Sequence, residues 1–242
     1  MVLTTSYYEK IIVTGHIIEV WRYEKLNTKG GGCRDGTGLD KEHNYQQHQR
    51  RRRNAIRQLI CSNFDSTSKF VTLTFNNSQD HDLKDVQACN LYFKKFIQRM
   101  KYRYKDFQYV SVIEFQDLND RGAVHYHMIC NLPFIKKSEL SLLWAGGFVK
   151  INRIDKVDNV GAYVIKYMTS DIDDKRLCGQ NAYLHSHGLL KPLEVTTWRE
   201  NDIEIWRGLH DEIENKTPSY CREYESEYAG RIEYRQYNYN RK

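Results

Sequence analysis

The stretch Ala123-Val124-His125-Tyr126-His127-Met128-Ile129-Cys130 carries the most information in this chain. Side chains two apart on a β-strand share a face, so His125 and His127 project together while Val124, Tyr126, Met128 and Cys130 turn to the other side. That second set is apolar and predicts a buried far face, with the two imidazoles on a near face that can open to a substrate. Upstream lies the turn-rich Asp117-Leu118-Asn119-Asp120-Arg121-Gly122, preceded by a strand-like run from Gln108 to Gln116. Together they predict a hairpin. With the turn centred on Asn119-Asp120, paired residue numbers sum to a constant, so Gln116 faces Ala123, Glu114 faces His125 and Val112 faces His127. Directly opposed Cβ atoms lie ~4.5–5.5 Å apart and diagonal ones ~7–8 Å. Glu114 then becomes a third ligand, with Gln116 the fallback if the register slips by two. Two imidazoles and a carboxylate with open positions suit Mn²⁺ or Mg²⁺ acting as a Lewis acid on a phosphodiester. A His-x-His pair alone is as readily a pair of surface or hydrogen-bonded histidines.

Working outward, Lys69 to Phe75 is rich in β-branched and aromatic residues and predicts a strand. Leu83 to Arg103 places Val86, Phe93, Ile97 and Met100 at helical spacing. A short helix from Lys137 to Trp144, a strand from Phe148 to Ile154 and a helix from Asn159 to Met168 follow. On that last helix Tyr163 and Tyr167 share a face, and Lys166 sits beside Tyr163 at the three-residue spacing. Val160, Val164 and Met168 form its core stripe. The tyrosines flank it, either as amphipathic residues at a core edge or as nucleophiles. A tyrosine hydroxyl titrates near ~10, and an adjacent ammonium favours the phenolate.

Near the N-terminus, Tyr7 to Val13 and His16 to Tyr23 predict a β-hairpin, and the glycine-rich Lys29 to Gly38 a loop. Residues 41–63 are helix formers carrying Arg50-Arg51-Arg52-Arg53 and Arg57. Such a run suits a polyanion, or else a solvated helix face. The excess of 37 Lys+Arg over 31 Asp+Glu, +6 in all, agrees with a DNA partner. No apolar stretch approaches the ~20 residues of a membrane span, and no secretory pattern is seen, so a cytoplasmic protein of a bacterial host is expected. The pattern G-x-x-x-x-G-K-[ST] is absent from the sequence, which excludes that kind of nucleotide-driven motor. Six cysteines without a Cys-x-x-Cys pair argue against a zinc cluster or a disulfide framework.

These residues resemble the HUH endonucleases, and within them the rolling-circle replication initiators (Rep) of plasmids and phages. Phe70-Val71-Thr72-Leu73-Thr74-Phe75 resembles the first motif of that class, Glu114 with Gly122 to His127 the metal-binding second, and Tyr163 to Tyr167 the third. The resemblance implies an α+β fold, a mainly antiparallel five-stranded sheet with flanking helices. It also implies metal-dependent nicking of single-stranded or hairpin origin DNA through a 5′-phosphotyrosine, followed by rejoining. The paired tyrosines are similar to those of the filamentous-phage gene II-like nicking protein, whereas Tyr-x-x-Lys alone is similar to the single-tyrosine plasmid type. A host helicase would have to unwind the nicked duplex. Tyr126 departs from the bulky aliphatic usual between the two histidines, although an aromatic also fills a buried face. Tyr7 and Tyr8, ahead of the His pair, are where a relaxase would carry its nucleophile. The competing functions are a transposase or relaxase of the same class, and a sequence-specific DNA-binding regulator that does not cut. The expected organisation is a hairpin and Gly-rich loop at 1–40, a nicking domain at 41–170 with its basic helix at 41–63, and a peripheral or partly disordered segment at 171–242.

Overall fold

The computed structural model describes residues 7–26, 38–77, 82–117, 121–154, 157–168, 174–177, 179–181, 183–226 and 229–241, with side chains at 38–47 and 166–168 outside that description. Most of the Gly-rich segment at 29–38 and the turn residues 118–120 therefore lie outside the described residues. The chain divides into two units, one formed by residues 1–46 with 190–242 and the other by 47–189.

In the second unit a helix α1 (Gly38–Asn63) leads into strand β3 (Lys69–Phe75), numbered after the hairpin strands β1 (Tyr8–Thr14) and β2 (Ile17–Tyr23) of the first unit. There follow α2 (Val86–Arg103), β4 (Tyr109–Gln116), β5 (Ala123–Cys130), α3 (Lys137–Trp144), β6 (Gly147–Arg153), α4 (Val160–Met168) and β7 (Tyr183–His185). The strands form one sheet in the order β6-β3-β5-β4-β7, and every neighbouring pair is antiparallel. Strand β5, with the two histidines, is central.

Helices cover both faces. On the far face Tyr126 is fully buried, stacks on Phe93 of α2 at 4.3 Å and donates its hydroxyl to Asn90 Oδ1 at 2.8 Å. The aromatic between the histidines is thus a core residue, and burial holds its hydroxyl well above its ordinary pKa. Helix α2 buries Val86, Phe93, Ile97 and Met100, the stripe expected from their spacing, together with Cys89 and Phe96. Asp85 caps its start by accepting from the Gln87 and Ala88 amides, which satisfies donors the first turn leaves open.

The near face departs from the expectation of an open surface. Half of it is a second core in which Ile56 and Ile60 of α1 and Val160 and Val164 of α4 pack with Phe70, Val110, Val112 and Ile129. Burying those aliphatics outweighs leaving the face exposed. Where α1 and α4 meet, Gly161 permits the contact: a Cβ there would fall 2.7 Å from the Arg57 carbonyl oxygen and closer still to Cys61 Sγ. Gly161→Ala should therefore destabilise the fold by about 1–3 kcal/mol, the usual cost of overpacking, read as a lower urea midpoint at unchanged slope.

In the first unit, β8 (Leu193–Thr196), β9 (Tyr220–Ser226) and β10 (Gly230–Asn238) join the N-terminal hairpin in a second antiparallel sheet, of order β8-β1-β2-β10-β9. Helix α5 (Ile203–Ile213) lies on one face, with Trp206, Leu209 and Ile213 packed with Ile11, Ile18, Val20 and Tyr237. The tyrosine-rich C-terminal stretch, read from sequence as peripheral or partly disordered, forms strands β9 and β10 over most of its described length. The partner of β10 is β2, close to the opposite end of the chain, a pairing that local sequence pattern does not signal. Among the described residues, Cys61, Cys89, Cys130 and Cys221 are free thiols, and no helix is long and apolar enough to cross a membrane.

Candidate active site

The β4–β5 register is the one the hairpin predicts: Gln116 pairs with Ala123, Glu114 with His125 and Val112 with His127. Side-chain contacts, however, run along the diagonal. His127 Nε2 donates to the Glu114 carboxylate in a short contact, while His125 Nε2 donates to Gln116 Oε1 at 2.9 Å. Each histidine thus meets the residue two beyond its direct partner, a diagonal that long side chains reach readily. Glu114 and Gln116 both take part, each with a different histidine.

On the other side of β5, strand β3 places Thr72 opposite His127 and Thr74 opposite His125. The Thr72 hydroxyl lies 3.2 Å from His127 Nδ1 and the Thr74 hydroxyl 3.4 Å from His125 Nδ1. Glu114 carboxylate and Gln116 Oε1 accept only, so the proton resides on Nε2 of each ring and the threonine donates to Nδ1. A second donor, Arg121 Nη1, reaches Gln116 Oε1 at 2.7 Å and fixes that amide's orientation. Arg121 is itself anchored on the Phe75 carbonyl at 2.6 Å. Burial first, and the neighbouring His127 second, push the His125 pKa down to about 4, leaving a neutral imidazole with a lone pair to offer.

Among the described residues no three His, Cys, Asp or Glu side chains stand ready-made around a metal position, because the polar atoms close on one another. The donor set still fits a divalent cation. A threonine hydroxyl accepts as well as donates, so Thr72 and Thr74 can support the opposite tautomer, with Nδ1–H held and Nε2 released. Oriented outer partners of this kind are the usual accompaniment of metal-binding histidines. Thr72, Thr74 and Arg121 received no role from sequence. The clue was present in the threonines, whose spacing of two matches that of the histidines.

Tyr163 stands at the edge of the near-face core. Its ring meets Phe70 edge-on at 6.4 Å, and Phe70 stacks on His127 at 5.8 Å with planes 12° apart. One aromatic ring therefore separates Tyr163 from the histidine pair. Asn159 caps α4 by accepting from the Ala162 amide at 2.9 Å, which sets where the helix starts and so where Tyr163 falls. Lys166 and Tyr167 lie on the same helix, with side chains outside the described residues. Tyr7 and Tyr8 belong to the other unit.

Helix α1 covers the near face, so its arginine run is on the histidines' side of the sheet. Arg50, Arg51 and Arg52 are exposed, whereas Arg53 and Arg57 are half-buried. The stem of Arg57 lies against Gly161 at the crossing with α4. Strand β6 adds Lys150 and Phe148 to the same face, paired with Thr72 and Thr74 and both exposed.

Residues 68–172 match the model of the replication-associated protein family that groups ORF2 with the gene II protein. The match runs from the end of the loop before β3 to just beyond α4, and encloses Glu114, His125, His127, Tyr163, Lys166 and Tyr167. It stops short of the arginine run and takes in none of the first unit's sheet. This likeness supports a role in replication initiation, with DNA as the partner. No curated protein and no solved structure matches the chain.

Proposed function

We propose that this protein is an origin-specific single-strand DNA endonuclease and strand transferase that starts and ends rolling-circle replication through a covalent tyrosine intermediate. The observation that carries the proposal is the placement of Tyr163 one ring from a His-x-His pair facing Glu114, inside the segment that matches a replication-associated family. A binder that never cuts would need no such convergence.

In this scheme His125, His127 and Glu114 hold Mn²⁺ or Mg²⁺, with Gln116 adjoining. When bound, that ion supplies Lewis-acid polarisation of the scissile phosphate. The rest falls to the chain's own side chains. Tyr163 gives up its hydroxyl proton and forms a bond from its oxygen to phosphorus. The bond from phosphorus to the 3′ oxygen breaks, leaving a 5′-phosphotyrosine and a free 3′-hydroxyl. Lys166, one helical turn away, stabilises the phenolate. Tyr167 serves as a second nucleophile or as an orienting residue. Because the phosphodiester energy is retained in the tyrosine ester, rejoining requires no nucleotide cofactor. Thr72 and Thr74 orient the imidazoles throughout.

The direct test incubates the protein with Mn²⁺ and single-stranded oligonucleotides tiled across a candidate origin, then sequences the DNA left attached to protein. A covalent adduct at one position is expected. Cleavage without an adduct would point to simple hydrolysis, and a complete lack of cleavage on any origin strand to a regulator.

The exposed part of the arginine run should contact the DNA backbone. Changing Arg51, Arg52 and Arg53 to alanine is expected to weaken binding to all sequences alike. It should also flatten the salt dependence by roughly 0.7 in log–log slope per lost single-strand phosphate contact. Anisotropy titrations at several salt concentrations read both effects. Unchanged binding in a less stable protein would make the run structural.

A further inference from the structure

The first unit has a face that its own helix leaves bare. Helix α5 packs on the side of the sheet bearing Ile11, Ile18, Val20 and Tyr237. The opposite side, set by strand alternation and the observed pairing, brings Tyr23 beside Tyr8 and Ile232, Trp21 beside Lys10 and Tyr234, and Tyr234 beside Arg222. Trp21 and Tyr234 have ring centroids 4.5 Å apart, Tyr234 and Tyr220 are 6.0 Å apart, and Trp198 meets Tyr23 edge-on at 6.4 Å. The Tyr234 hydroxyl is pinned to Glu19 at 2.5 Å. This aromatic array is open: Tyr220 is 50 % exposed, Tyr224 and Trp198 each 39 %, and Tyr8 37 %.

Charge is sorted across the sheet in the same sense. On β9, Arg222 points to the aromatic side while Glu223 and Glu225 alternate to the other. The Arg222 guanidinium lies 5.9 Å from the Tyr224 ring. On the aromatic side, the Glu194 carboxylate is matched by Lys10 at 2.6 Å. Exposed rings on a rigid sheet, edged by cations and with their acids engaged, suit one chemistry above others. Unpaired bases stack on aromatic faces while the phosphates beside them meet positive charge. A duplex keeps its bases stacked on each other and cannot use such a surface. Tyr220 and Tyr224, four residues apart on one strand, are separated by ~13 Å, room for a run of two or three nucleotides.

We propose that this face of the first unit is a base-stacking platform for single-stranded nucleic acid, separate from the histidine site and indifferent to base identity. It lies outside the segment that matches the replication-associated family. Its existence does not depend on the chain being a nuclease.

The test uses the full chain without added divalent metal, so that nicking plays no part. Fluorescein-labelled dT20, an abasic 20-mer and a 20-base-pair duplex are titrated against the parent protein and two paired variants. The parent should bind dT20 at least about tenfold more tightly than the abasic strand, the scale of two base–aromatic stacks. The pair Tyr220→Leu with Tyr224→Leu keeps apolar side chains on the strand and should lose that margin, with duplex binding changed less than about twofold. The pair Tyr220→Phe with Tyr224→Phe should retain it, because stacking needs the ring and not the hydroxyl. An undiminished preference for dT20 in the leucine pair would overturn the proposal. So would equal losses in the leucine and phenylalanine pairs, or a parent that binds the abasic strand as tightly as dT20.

Discussion

Tyr163→Phe should abolish formation of the covalent DNA adduct and reduce nicking by at least about 10⁴-fold, as loss of a nucleophile does in enzymes whose catalytic residues act as a unit. The substitution removes one oxygen and leaves the ring against Phe70, where the edge-on contact at 6.4 Å involves no hydroxyl. Stability and DNA binding should therefore hold, and the effect should fall on the rate alone. Tyr167→Phe should behave differently, still giving one adduct but failing to complete strand transfer if that residue is the second nucleophile. Peptide mapping of the adduct in the unmodified protein decides between them. An adduct mainly on Tyr167 would reverse the assignment, and one on Tyr7 or Tyr8 would move the chemistry to the other unit and favour a relaxase-like order.

His127→Ala is expected to lower cleavage by about a thousandfold, the rate equivalent of the several kcal/mol of charge stabilisation a Lewis acid supplies. The variant loses a ligand, the partner of the Glu114 carboxylate and the ring on which Phe70 stacks. Binding of a single-stranded oligonucleotide should persist, because phosphate contacts elsewhere supply most of the affinity. Cleavage and anisotropy assays on the same preparation separate the two effects, and excess chelator should reproduce the loss of cleavage in the parent. Full cleavage by the variant, or by the parent in chelator, would remove the metal from the scheme.

Much of the second unit was legible in the sequence, and the reasons are local. Strand β3 and strand β5 run over the residues that alternation assigns them, and helix α2 buries the stripe that its spacing sets out. The hairpin register followed from one turn, since strands joined by so few residues have little freedom in how they pair. The near face was less legible. Its histidines were expected to look onto an open surface, yet half of it is covered by α1 and α4.

What the sequence by itself determined are the relations spanning a few residues: two imidazoles on one face, Glu114 and Gln116 across a hairpin from them, Tyr163 and Lys166 a turn apart on a helix. Each is fixed by the period of a strand or helix and by the length of one turn. The tertiary structure alone decided which distant segments meet. It set Thr72 and Thr74 behind the histidine rings, put Phe70 between His127 and Tyr163, and paired β10 with β2. Strand periodicity says which face a residue occupies but carries no information on the neighbouring strand. Which strands adjoin is settled by the burial of apolar surface over the whole unit, to which every segment contributes at once.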